Sequence, residues 1–405
     1  MNFRVFFTVL FTVTGIIYAF GDNKNKDKSD KPATGYEFTD EIVLPATPVK
    51  DQYNTGTCWS FSGISFLESE MMRLGKPGIN LSEMFVVWHS YSDKARKDVR
   101  VHGNLNFAPG GAFHDVTNAI AKYGIVPESV YSGLKNGETK HVHREMDRVL
   151  KEEVNAVIEN PGKKLGTAWH EAVDSTLNTY LGEIPNSFKY EGKIYNPQSF
   201  AKNYMGLNMG DYVEITSYTH HLFYSKFILE IPDNWSWDEM YNVPLNDLED
   251  IIDYALNNGF TIAWAADVSE KGFETGTKGV AVMPSAPAED MSNAEIASWE
   301  ALPEKEKESE LYSLDKTAPE IEVTQEMRQV AFDNYQTTDD HGMHIIGVSK
   351  NSDGKIFYKV KNSWGDYNLY HGYFYASKTY VAYKTMSIMV NKDAIPQNIR
   401  EKLGL

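Results

Sequence analysis

The sequence predicts an α+β fold, because helix-like segments come first and strand-like segments come last. Three observations carry this. Residues 57–74, TCWSFSGISFLESEMMRL, place Trp59, Phe61, Ile64, Phe66, Leu67 and Met71 at helical spacing. From 341 onward the runs HIIGVSK, KIFYKVKNS and GYFYAS are separated by Ser-Asp-Gly and by glycine-containing turns. A chain of 405 residues with 42% hydrophobic and 13% aromatic residues can also bury a large core, which excludes wholesale disorder.

The elements follow in order. Residues 1–21 read as a signal peptide. Arg4 precedes an apolar run from Val5 to Phe20, too short for a membrane span, and Ala19 and Gly21 sit where a signal peptidase reads small residues. Residues 22–36 are polar, alternate in charge and read as a flexible lead-in. The helix at 57–74 starts after a Thr and stops at Gly75. Residues 112–123 form a second amphipathic helix ended by Gly124, and charged helical sequence fills 136–160 and 162–182. Residues 185–235, rich in Tyr, Phe and Ile with turn residues between, suggest strands and loops. Residues 245–258 read as a helix and TIAWAADV, 261–268, as a buried strand. Residues 285–320, rich in Ala, Glu, Ser and Lys, read as an exposed insertion or surface loop.

Charge and cysteine content narrow the function. Net charge is −17, which argues against nucleic acid or an anionic membrane surface as the main partner. One cysteine, Cys58, excludes an internal disulfide and any cysteine-rich metal site. His220-His221 and His141-Val142-His143 have no carboxylate at ligand spacing, so no metal is expected. His170-Glu171 lacks the second His of a zinc-peptidase helix, and there is no Gly-x-Ser-x-Gly elbow. No cofactor is implied.

A single thiol kept by a chain with an export signal suggests chemistry. Cys58 stands at a helix start, where the N-terminus favours negative charge and should lower the thiol pKa. His341 opens a strand-like run that can hold an imidazole rigidly, and Asn362 can accept from that imidazole and fix its ring. Trp364 can shield this bond from water. The Cys58 backbone N–H and the Gln52 side chain are candidate oxyanion donors. His344, three residues from His341, should face the opposite side of a strand.

These pieces resemble the papain-like cysteine peptidases. The resemblance rests on Gln52, Cys58-Trp59-Ser60-Phe61, Leu81-Ser82-Glu83, Gly110-Gly111, His341 and Lys361-Asn362-Ser363-Trp364-Gly365, all in the family's order. In papain itself the His and Asn follow the Cys by about 130–150 residues. Here they stand at 341 and 362, so more than a hundred extra residues are present, and Thr55 replaces the family's usual neighbouring cysteine. Both departures are similar to the bleomycin hydrolase and aminopeptidase C branch, which His341-Gly342-Met343 also resembles.

The resemblance implies a two-lobed fold, with a helical lobe, a β-barrel-like lobe and a large, mostly helical insertion near 135–320. The peptidase domain would run from 37 to 405. It implies a Cys-His-Asn triad of Cys58, His341 and Asn362, with Gln52 assisting and Gly110, Gly111 and Trp364 contacting an extended peptide. It implies release of N-terminal residues, with the terminal carboxylate of Leu405 in the cleft holding the substrate's free amine, and assembly as a homo-oligomer, a hexamer in that branch. The signal peptide places the chain in the periplasm or outside the cell, whereas that branch is mostly intracellular. An open-cleft endopeptidase and a non-catalytic secreted binding module remain as alternatives.

Overall fold

The sequence of buried and exposed positions is resolved by a computed structural model that describes residues 35–405, apart from 136, 161, 163 and 287–291. The expected signal peptide and lead-in up to residue 34 lie outside the described residues. The lead-in ends sooner than residue 36. Tyr36 is buried, with its ring 6.0 Å from that of Phe357 and 6.2 Å from that of Phe38. Among the described residues, no helix is long and apolar enough to cross a membrane.

Among the described residues up to 181 the helices are α1 (Cys58–Arg73), α2 (Glu83–Arg100), α3 (Phe113–Tyr123), α4 (Arg144–Ile158) and α5 (Ala168–Leu181). Their core gathers Phe66, Phe85, Phe113, Leu150 and Leu177. Helix α1 is buried from Trp59 through Met71, on all faces. It is flanked by α2 and α3 on one side and by the sheet on the other, so it has no solvent face to make polar. Most of its buried serines and glutamates have internal partners; Ser60, for example, donates to the Glu83 carbonyl at 3.0 Å, while Ser69 Oγ has none. Ser82 caps α2 by accepting from the Phe85 N–H at 3.0 Å. Gly124 ends α3 at φ +84°, and a side chain there would lie 2.2 Å from the Pro197 backbone.

The strands are β1 (Phe38–Val43), β2 (Phe188–Tyr190), β3 (Lys193–Tyr195), β4 (Tyr212–Thr216), β5 (Lys226–Ile228), β6 (Glu239–Asn242), β7 (Ile262–Ala266), β8 (Phe273–Glu274), β9 (Val280–Ala281), β10 (His341–Asn351), β11 (Ile356–Lys361), β12 (Tyr373–Ser377) and β13 (Thr385–Asn391). β2 and β3 form a separate hairpin. The other 11 make one sheet in the order β5-β6-β4-β13-β7-β10-β11-β12-β9-β8, with β1 also paired to β10. The remaining helices are α6 (Pro197–Phe200), α7 (Leu245–Asn257), α8 (Asn293–Glu300), α9 (Glu304–Leu311), α10 (Gln325–Asp333), α11 (Lys378–Lys384) and α12 (Gln397–Leu403).

The segment at 135–320 holds the expected helices but is not an appendage. It delivers β4 through β9 to the main sheet, and β7 pairs with both β10 and β13. The α+β class stands, and helix α1 lies against β10 and β7. That contact positions the site.

Candidate active site

Cys58 is the first residue of α1 and is partly exposed. His341 is the first residue of β10 and is buried. Gly342 lets the strand come close to the helix: a side chain there would lie 2.7 Å from Ser62 Oγ and 3.3 Å from the Trp59 backbone. Cys58 and His341 therefore line one pocket.

Asn362, also buried, follows β11. His341 Nε2 lies 2.8 Å from Asn362 Oδ1, which also accepts from the Ser363 N–H at 2.8 Å. Asn362 Nδ2 donates to Tyr367 Oη at 3.1 Å. The acceptor on Asn362 obliges His341 to carry its proton on Nε2 and leaves Nδ1 for exchange. Trp364 stacks on His341, with ring centroids 4.7 Å apart at 26°. Like Gln52 and Gly110, it lies outside the lining of the Cys58 pocket. His344 turns away. Its Nδ1 lies 2.9 Å from Ser65 Oγ, and its charged neighbour is Lys361.

Gln52 is buried and doubly anchored. Its Oε1 accepts from Ser363 Oγ at 2.6 Å, and Nε2 donates to the Thr55 carbonyl at 2.9 Å. An amide carries two N–H groups, so one remains free. Gly111 lines the pocket; a side chain on it would meet the Trp59 ring at 2.9 Å. Gly110 lies beside it, and a side chain there would meet Asp233 at 1.9 Å. The buried Lys94 donates to the carbonyls of Ala108 and Gly110 and so fixes this strip of backbone.

Two expectations are corrected. The first is the thiol. Burial pushes the Cys58 pKa up to about 12; the Gly342 N–H opposes this, while the carboxylates of Asp339 and Asp233 add to it. Burial also pushes His341 down to about 4, with the Asn362 bond opposing. Burial thus opposes the helix start and favours the neutral form of each group. The second is Leu405. Helix α12 buries Ile399 and Leu403, and Leu405 packs on the core of the sheet with its N–H bonded to the Arg400 carbonyl at 3.1 Å. It is not part of the pocket wall.

The wall contains carboxylates that the sequence reading missed: Glu214, Asp233, Asp339 and Asp340. Glu214 is committed to His114, at 2.7 Å, and to Ser387, at 2.7 Å. Asp339 has carboxylates as its charged neighbours, namely Asp233, Glu214 and Asp340, and burial together with these raises its pKa well above 3.8. Asp339 and Asp340 precede His341 in sequence and were visible there. Nothing in the sequence joins Asp233 to them.

The model of the Peptidase C1-like family matches residues 19–284 and 306–404 of this chain. Aminopeptidase C of Lactobacillus delbrueckii subsp. lactis is 23% identical over 414 residues, spanning 90% of this chain and 83% of that protein. Aminopeptidase W of the same organism is 23% identical, spanning 90% and 85%. The crystal structure of PepW from Lactobacillus rhamnosis is similar in fold, with a TM-score of 0.67 at 19% identity, covering 90% of this chain and 84% of the other.

Proposed function

Because the chain belongs to the Peptidase C1-like family and is a papain-like cysteine peptidase, we propose that it is an exported aminopeptidase acting through Cys58, His341 and Asn362. Cys58 Sγ attacks the carbonyl carbon of the first peptide bond while its proton passes to His341 Nδ1. As the proton passes, the charges developing on sulfur and imidazole attract each other, which offsets the burial that disfavours each charge alone. Asn362 holds the imidazole through Nε2. The Cys58 N–H and the free N–H of Gln52 receive the oxyanion. The C–N bond breaks as His341 returns the proton to the leaving amine. Water, deprotonated by His341, then cleaves the thioester and restores the thiol.

The observation that carries the exopeptidase reading is the carboxylate wall. Asp233 and Asp339 share the pocket of Cys58 and His341; among the described residues no lysine or arginine lines it, although the buried Lys94 attracts Asp233. The first residue of a peptide offers its α-ammonium to such a wall, and the acetylated peptides of the test separate this from a lysine side chain, which also carries an ammonium. These side chains take the place that the resemblance gives to the terminal carboxylate. The aminopeptidases among the relatives agree with this reading.

The test is hydrolysis of fluorogenic peptides with free and with acetylated N-termini, with the Cys58→Ala variant as control. Cleavage of the free form alone is expected. Equal cleavage of both forms makes the enzyme an endopeptidase, and no cleavage of either leaves a binding module. Export rests on residues 1–21 and is tested by fractionation of cells producing the full chain. Homo-oligomeric assembly belongs to the same reading and is tested by sedimentation.

A further inference from the structure

We propose that His220, His221 and Glu230 bind a divalent transition-metal ion of the zinc type. The sequence argues against a metal here because no carboxylate stands near the histidine pair. The fold supplies one. After β4 the chain turns through the two histidines, and β5 brings Glu230 back to both rings. His220 Nε2 lies 3.0 Å from Glu230 Oε2, and His221 Nε2 lies 2.9 Å from Oε1. One donor atom from each of the three residues falls within 4.8 Å of the others, and among the described residues this is the group of three that does so. Donors at about 2.0–2.1 Å from a tetrahedral zinc lie roughly 3.3 Å apart, so the two imidazole–carboxylate spacings need open only slightly. Two imidazoles and a carboxylate are a common donor set for zinc, and three protein ligands leave a fourth position for water.

The rings are held in place. His221 stacks on Phe227, with centroids 4.2 Å apart at 23°, and His220 stacks on Phe332, at 5.5 Å and 16°. The far nitrogen of His220 is also provided for. Its Nδ1 lies 3.3 Å from Gln329 Oε1 and 3.1 Å from Gln329 Nε2. With an ion on Nε2, the Nδ1–H donates to Oε1, the outer contact that orients a metal-binding imidazole. Without an ion, Gln329 Nε2 donates to Nδ1 and the ring Nε2–H donates to Glu230. One amide thus serves both states. Glu230 stands just before Ile231 and Asp233, which line the pocket of Cys58, so an ion would pin the base of that segment.

A thiol beside an imidazole also attracts zinc, so the test uses the full chain carrying Cys58→Ala. Zinc chloride is titrated calorimetrically, and the bound ion is examined by X-ray absorption. One ion per chain is expected, with nitrogen and oxygen neighbours. Losing a ligand should cost more than the about 10- to 100-fold that an outer partner costs, so His221→Ala and Glu230→Gln should each weaken binding at least about 100-fold, and Gln329→Ala about 10-fold. Glu230 is exposed and Glu230→Gln preserves its shape, so a loss there is not misfolding. No heat of binding up to millimolar zinc, or binding unchanged in both His221→Ala and Glu230→Gln, overturns the proposal.

Discussion

Helix α1 separates two polar clusters that differ in how their charges are met. On one side Lys50 reaches Glu83 at 2.6 Å, Glu128 at 3.0 Å and Glu68 at 3.7 Å. Lys361 donates to Ser65 at 2.8 Å and to Thr47 at 3.1 Å, and His344 meets the same Ser65. On the other side, around Cys58, Asp339 faces only carboxylates, and no cation lines the pocket. In the first cluster the charges of the glutamates are met by Lys50 within the folded chain. In the second, Lys94 attracts Asp233 and His114 meets Glu214, but Asp339 has only carboxylates as charged neighbours, and a positive charge arriving from solution would be its first counter-charge. Both contain buried ionisable groups and a histidine, so burial and residue type do not tell them apart. The supply of counter-charge does.

The strongest test of that contrast is at the thiol. Cys58→Ala should lower peptide hydrolysis by about a thousandfold or more with melting unchanged, and His341→Ala should be nearly as severe. Both are read from initial rates beside a melting curve. His344→Ala should leave turnover largely intact, and the reverse order of the two histidines would reassign the base. The paired cluster should answer in the other currency. Lys50→Met leaves Glu68 and Glu83 without their cation and should cost about 3–5 kcal/mol of folding stability in a denaturant titration. A drop in turnover without a drop in stability would show that this cluster serves catalysis instead.

Smaller effects sharpen the comparison. Asn362→Ala leaves nucleophile and base but frees the imidazole to turn, so turnover should fall about ten- to a few-hundred-fold. Asp339→Asn should raise KM for free-amine peptides by about 10- to 100-fold, the worth of a charged hydrogen bond, and should leave acetylated peptides unaffected. The same change should stabilise the fold at neutral pH. With its pKa raised above 3.8, Asp339 holds its proton more tightly in the folded chain than in the unfolded one. Its contribution to stability is therefore greatest at low pH and falls as pH climbs from the ordinary value through the raised one. Melting curves of the two proteins should coincide in acid and separate in favour of Asp339→Asn toward neutrality. Curves that separate in the opposite direction would mean that Asp339 has a cation partner.

What the sequence made legible was local or carried by motif. Helix α1 begins at Cys58, α3 stops at Gly124, and β10, β11 and β12 lie where alternation and turns put them. The His341–Asn362 contact joins two residues named from motif alone. Helix α2 was missed although its cap, Ser82, had been noticed as part of a motif. Strand β13, buried at every position like most of β10, was missed because no turn signal separates it from helix α11 just before it, and its partners β4 and β7 are remote in sequence. The thiol was misjudged for a related reason. A helix start is visible in sequence, but burial by a distant strand and repulsion by Asp233 are not.

Strand β1 pairs with β10 along its length, and Ser349 donates to Asp40 from 309 residues further along the chain. Helix α1 likewise rests on β10. A ribosome therefore delivers the nucleophile's helix early, but its sheet partner arrives near the end of synthesis. Until then there is no wall around the sulfur and no base beside it. On the proposed mechanism, chains truncated before residue 341 should be proteolytically inert, so the activity would appear only as synthesis ends.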